Sequence, residues 1–387
     1  MSNDLSSVLV NGKTVAVTVT GGRIAALTPV VGPPRAVMLP LAVDPHVHLD
    51  KCFTAHRCRA AKPGLFGAIE AMAADKTAWT EDDLRQRIGK GLADAYSNGT
   101  KVMRSHVDWV EPGVPLAWSV MGEAMDDWAG RVTLQRAALA SLELLGDATI
   151  GPAIAAKVGA DSGVLGTFVY RHPNYAHHLV QVFRLAADHG LCLDFHVDEG
   201  LDADATAIDE IARLTLAHGM AGRVLCGHAC SLAIRSDADR AIALAAQAGL
   251  ALTILPTTNL HLQDMTPGRS PRLRGLAPAQ ELREAGVTVL FGSDNVRDPF
   301  YPYGTHDSIE MLRLACLTLH LSPDEWLTAI TTDASHAMQL SPARLEVGDP
   351  ADFILIDGAD WTEALSNPRA ARRIFRAGAA QMQGQAA

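Results

Sequence analysis

Along the middle of the chain, apolar runs of strand length alternate with stretches of helical spacing. The runs occupy residues 101–107, 133–140, 163–170, 192–197, 223–227, 251–255 and 288–292, and one more, 37–43, leads into His46. Between them, residues 81–98 place Leu84, Ile88 and Leu92 four apart, and 81–98 and 176–190 both end at or just before a glycine, as amphipathic helices do. Eight strands alternating with helices is the pattern of a (β/α)8 TIM-type barrel. Pro40 is expected at the start of the first strand, where no ladder donor is needed.

The two ends of the chain read differently. Val8-Leu9-Val10, Val15 to Val19 and Arg23 to Leu27 are short β-rich runs separated by Asn11-Gly12 and Gly21-Gly22, which are hairpin signals. Near the other end, Val347-Gly348-Asp349-Pro350-Ala351-Asp352 leads into Phe353-Ile354-Leu355-Ile356, with a further strand at 373–378. Isolated hairpins are marginal in water, so the two ends should pair into one small β-sandwich. The expected organisation is residues 1–40 and 341–387 in the sandwich and 41–340 in the barrel, with the small-residue tail 379–387 frayed.

Composition narrows the function. A chain of 387 residues with 48% hydrophobic and 20% charged residues is ordinary globular material. The net charge of -10 excludes nucleic acid and anionic membrane as main partners, because both reward basic patches. Six cysteines form no Cys-x-x-Cys pair and read as reduced thiols of a cytoplasmic protein; Cys226 and Cys230, which flank His228, read as buried filler. Residues 1–7 lack a signal-peptide pattern and no run reaches the ~18 residues of a membrane span.

In a barrel the active site lies at the carboxyl ends of the strands, and polar residues collect there. The first strand ends in His46 and His48, whose spacing puts both imidazoles on one side. The second ends in His106-Val107-Asp108, the fifth in His196-Val197-Asp198-Glu199, the sixth in His228 and the eighth in Ser293-Asp294-Asn295. Three imidazoles and a carboxylate, His46, His48, His196 and Asp294, make a set for one catalytic divalent ion with a position left for water. Such an ion lowers the pKa of water toward ~7. Glu199 is then placed as a proton shuttle and His228 as an orienting group. Residues 163–170 contain no lysine to bridge two ions, and Lys157 precedes that strand, so a single metal is expected.

The set His46-Val47-His48-Leu49-Asp50, His196-Val197-Asp198-Glu199, Gly227-His228, Phe291-Gly292-Ser293-Asp294-Asn295 and Asp298-Pro299-Phe300-Tyr301-Pro302-Tyr303-Gly304 resembles the amidohydrolase superfamily, and within it the cytosine deaminase branch. Arg104-Ser105-His106-Val107-Asp108 and Asn259-Leu260-His261-Leu262-Gln263 are similar to that branch as well. The resemblance covers nearly the whole chain. It implies one Fe(II) or Zn(II) held by His46, His48, His196 and Asp294, with Asp294 also accepting a proton, Glu199 protonating the ring and then the leaving amine, and His228 holding the attacking oxygen. Three substrate positions depart from it: Ser141 aligns with a pyrimidine-binding Gln, Asn295 with Asp, and Phe300 with Trp. A changed set of hydrogen-bonding groups alters specificity by orders of magnitude.

The expected function is a metal-dependent hydrolytic deaminase of a small nitrogen heterocycle such as cytosine or a related pyrimidine, triazine or pterin. Two alternatives stand beside it: a cyclic amide hydrolase using the same site, and a metal-binding barrel without catalysis. The expected partner is the heterocyclic substrate alone, and homo-oligomerisation is left open. Trp109 and Phe53 are read equally as pocket walls and as core, Arg269, Arg272 and Arg274 as a solvated loop. Asp50 and Lys51 carry no assignment.

Overall fold

The structure is a computed structural model that describes residues 5–170 and 172–382. Its eight-stranded sheet is wholly parallel and runs in chain order: β5 (Ala42–Val47), β6 (Thr100–Trp109), β7 (Thr133–Ser141), β8 (Val164–Val169), β9 (Leu193–Val197), β10 (Val224–His228), β11 (Ala251–Ile254) and β12 (Thr288–Phe291). A bridge between Val47 and Asp294 and a hydrogen bond from the Asp294 amide to the His46 carbonyl, 2.9 Å, bring its two edges together. The result is a TIM-type barrel, with helices between the strands. The helix Glu81–Ser97 turns Leu84, Ile88 and Leu92 inward, and its Thr80 cap accepts from the Asp83 amide. The helix Tyr175–His189 stops at Gly190, which takes the left-handed conformation that closes a helix cheaply.

The other strands, β1 (Val8–Val10), β2 (Lys13–Thr20), β3 (Arg23–Pro29), β4 (Ala36–Pro40), β13 (Phe353–Asp357), β14 (Arg372–Arg376) and β15 (Ala379–Met382), form one sheet in the order β15-β14-β13-β4-β1-β2-β3. It folds over its own apolar cluster of Val8, Val17, Ile24, Met38, Phe353 and Phe375, and the Gly22 turn meets Ala377 at its far side. Both chain ends are needed because β4 lies between β1 and β13.

Two expectations need correction. The run 37–43 is not one strand: β4 ends at Pro40 and β5 begins at Ala42, so the chain passes from one sheet to the other at Leu41. Pro40 therefore ends a strand, where its missing N–H also costs no ladder bond. The tail does not fray at 379, since residues 379–382 pair with β14; 383–387 lie outside the described residues.

At the amino-terminal mouth of the barrel, Val43, Leu225, Ala251 and Leu290 pack with Ala334 and Met338 from the helix Thr332–Ala337 and the residue after it. Burial of such side chains stabilises by about 1.5–3 kcal/mol each for the larger ones and fills that end. Above this layer sits a polar one. Arg104 Nη1 donates to Asp194 at 2.9 Å and its Nε to Gln135 at 3.1 Å, and His106 Nε2 lies 3.2 Å from Asp194. The site is built on this layer.

Candidate active site

The carboxyl ends of the strands bring the expected residues together. His46 Nε2 and His48 Nε2 each lie 3.1 Å from His196 Nε2, and Asp294 Oδ1 is 3.6 Å from His46 Nε2 and 3.3 Å from His48 Nε2. Four donor atoms from three strand ends thus face one point. Burial, with the neighbouring imidazoles adding to it, keeps the histidines' pKa values well below the ordinary value, so their lone pairs are free. Both Asp294 oxygens are buried without a hydrogen-bond partner. Ligands at about 2.1 Å from one ion stand about 3.0–3.4 Å apart, and a cation would satisfy the orphaned carboxylate, so the residues fit a metal.

Local backbone aims these groups. His228 (φ 71°), the last residue of β10, Asp198 (φ 48°), the first after β9, and Asp294 (φ 55°), three past β12, all adopt the left-handed conformation, which costs a non-glycine residue of order 1 kcal/mol; His228 and Asp294 line the cavity, while the Asp198 carboxylate accepts from the Ala207 and Ile208 amides. Two glycines give His46 its room. A Cβ on Gly227 would stand 2.7 Å from His46 Cε1, and one on Gly292 3.0 Å from its carbonyl oxygen. Behind them the buried Asp44 carboxyl accepts from Ser293 Oγ at 2.5 Å and from the His46 amide at 3.3 Å, tying β5 to the loop after β12.

Glu199 and His228 occupy the same cavity wall, 3.7 Å apart. Burial, and after it the Asp294 carboxylate, pushes the Glu199 carboxyl up to about 8, so without a bound cation it keeps its proton at neutral pH. Burial brings His228 down to about 4. Asn259 Nδ2 donates to His228 Nδ1 at 3.0 Å, which puts the proton of the neutral ring on Nε2, a buried nitrogen with no other partner. Gln263 Nε2 donates to the Glu199 carbonyl at 2.6 Å.

The three substrate positions all line the cavity. Ser141 caps the short helix Leu142–Gly146, its Oγ accepting from the Leu144 amide at 3.4 Å, so the hydroxyl hydrogen is its remaining donor. Asn295 Nδ2 donates to Asp298 at 2.6 Å, which fixes its amide and leaves Oδ1 as acceptor. Phe300 carries the Lys51 ammonium 5.1 Å from its ring centre.

Some contacts in the cavity wall escaped sequence reasoning. Lys51 Nζ lies 2.9 Å from Asp108 Oδ1, Lys76 pairs with the other oxygen, and all three side chains line the cavity. Burial works against both charges of the Lys51 and Asp108 pair, but their mutual attraction outweighs it, raising the ammonium and lowering the carboxylate. The signal was present in Lys51 and Asp108, each two or three residues past a histidine motif, but nothing local pairs them. His106 belongs to the histidine cluster too, 4.1 Å from His46 ring to ring, with Nε2 facing Asp194.

Trp109 is core, packed on Trp118 and 1% exposed, and Phe53 is buried outside the cavity. Cys226 and Cys230 are buried free thiols whose pKa values burial raises. Arg269, Arg272 and Arg274 are exposed and do not line the cavity. Among the described residues, no helix is long and apolar enough to cross a membrane.

Residues 123–374 match the profile of the amidohydrolase family. A pterin deaminase of Rhizobium rhizogenes is 37% identical over 346 residues, which is 88% of this chain and 79% of that one. Among solved structures, the 5-methylcytosine deaminase from Klebsiella pneumoniae liganded with 5-fluorocytosine has a TM-score of 0.85 at 22% identity, covering 99% of this chain and 98% of that one. An atrazine chlorohydrolase from Arthrobacter aurescens complexed with zinc has a TM-score of 0.69 at 18% identity, covering 98% and 94%. The chain belongs to the amidohydrolase family.

Proposed function

We propose that this member of the amidohydrolase family is a single-metal aminohydrolase that replaces an amino group on a small nitrogen heterocycle by oxygen. The observation that carries the reading is Glu199: a buried carboxyl on the wall of a cavity that ends at a convergent His3Asp set, 3.7 Å from His228. A binding scaffold has no use for such an acid.

His46, His48, His196 and Asp294 would hold Zn(II) or Fe(II); zinc is the ion in the atrazine chlorohydrolase complex. When bound, the ion makes water nucleophilic at neutral pH. Asp294 is buried beside the ligand nitrogens and can accept the proton that the attacking water loses. Glu199 gives its proton to the ring nitrogen next to the reacting carbon, which makes that carbon electrophilic. After the attack Glu199 takes up the remaining proton of the added water and passes it to the departing amine, so that ammonia rather than amide leaves, and the proton held by Asp294 then returns Glu199 to its starting state. His228, held by Asn259, directs Nε2 at the oxygen being added. Ser141, Asn295 and Phe300 contact the ring: a hydroxyl donor, an amide acceptor and an apolar face.

The name of the Rhizobium relative favours a pterin, with pyrimidines and triazines behind it. Free thiols and the lack of a membrane-crossing helix among the described residues fit a cytoplasmic enzyme. The test is a screen of aminopyrimidines, aminotriazines and pterins for ammonia release by metal-analysed protein. Ring opening without ammonia would transfer the site to cyclic amide hydrolysis.

A further inference from the structure

The cavity that ends at Glu199 and Asp294 measures about 750 Å3, within the range of about 300–1,000 Å3 that encloses drug-sized ligands. A bicyclic aminoheterocycle of about twelve heavy atoms, counted generously at the ~30 Å3 of a liquid water for each, needs about 360 Å3, roughly half of the cavity. The lining of the cavity falls into two parts of different chemistry. The inner end is lined by His48, His196, Glu199, His228, Asp294 and Asn295. The outer part is lined mainly by Leu65, Ile69 and Met72 of the helix Gly64–Lys76 and by Val110, Val114 and Leu116 after β6, with the exposed Thr77 and Glu111 at its rim.

Four of these outer side chains are exposed, Val110 by 58%, Val114 by 47%, Leu116 by 45% and Ile69 by 36%, while Leu65 is half-buried and Met72 buried beneath them. Apolar exposure gathered in one place marks a binding groove. Here the patch is continuous with the reaction site, since both line one cavity. Two lysines stand between the two parts, but Lys51 and Lys76 share Asp108, so their charge is largely met there. The reacting carbon must face the inner end, which turns the opposite edge of the ring toward the apolar part.

We infer that the outer chamber binds an apolar arm, and that the preferred substrate is a heterocycle carrying an aryl or alkyl group on the ring edge opposite its exocyclic amine. This deepens the aminohydrolase reading and rests on it.

The test uses full-length, metal-loaded enzyme and matched pairs: pterin against 6-phenylpterin, and cytosine against 1-benzylcytosine, followed by ammonia release. The arm should raise kcat/KM about tenfold or more, chiefly through KM, as expected for burying a phenyl-sized group. The double variant Ile69→Ser with Leu116→Ser removes that gain and leaves the bare ring within about twofold of wild type; both sites are partly exposed, and melting temperature confirms folding. Equal kcat/KM for the two members of each pair, or rejection of the arm, overturns the inference while leaving the aminohydrolase reading intact. An equal loss on both substrates also overturns it, and if sedimentation shows a dimer dissociating in the variant, the patch joins two copies of the chain. If no ring releases ammonia, the aminohydrolase reading falls and this inference with it.

Discussion

The two ends of the one cavity are built on different principles. At the inner end every group lies in a barrel strand or within four residues of its end and is less than a tenth exposed, and several are held by a second buried group: Asn259 on His228, Asp44 on the His46 amide, Gln263 on the Glu199 backbone. At the outer end the lining comes from one helix and one loop inserted after the first two strands, and much of it touches solvent. Strand ends fix positions to a fraction of an ångström because neighbouring strands share a hydrogen-bond register, and loops do not. Under the proposed function, chemistry falls to the part held by the strands, and the inferred choice of substrate to the part that can change without disturbing it.

The sharpest way to break this contrast is to remove a ligand. Asp294→Ala should lose activity and much of the bound metal, measured by ammonia release and metal analysis of the same sample; full metal retention would sink its role as a ligand. Glu199→Gln comes next. It should keep near-normal metal and lose turnover by about 10²–10⁴-fold, the usual worth of a positioned acid, and retained activity would remove Glu199 from the mechanism. Asn259→Ala tests the supporting groups. Loss of the hydrogen bond that orients His228 should lower kcat by about 10–100-fold with metal content unchanged.

A smaller effect lies in stability. Burial pushes the Glu199 carboxyl up to about 8, so the native chelated protein holds a proton that the unfolded chain gives up near the ordinary value of 4.5. Stability from this group is complete below about pH 4.5 and is lost as pH rises toward 8, because the native state then binds more protons than the unfolded one. Urea unfolding of the metal-free protein should show this decline, and Glu199→Gln should flatten it. An unchanged slope would mean that the carboxyl is already ionised.

The locally determined features could be read from the chain. Strand and helix periods are properties of neighbouring residues, so the eight barrel strands, the helices ending at Asn98 and Gly190, and the histidines and acids just past strand ends followed from spacing alone. The positions proposed as metal ligands are of this kind. What the sequence left open depends on which distant segments meet. Whether 37–43 was one strand or two was decided by β13 pairing with residues 36–40 and β6 with the residues after 41, and both partners lie far along the chain. Lys51 found Asp108, and His228 found Asn259, because adjacent strands in the barrel carry them to the same mouth. The apolar outer chamber likewise exists only once the helix at 64–76 stands beside the loop at 110–116. Each of those segments alone reads as an ordinary stretch of chain, and the cavity between them is a property of neither.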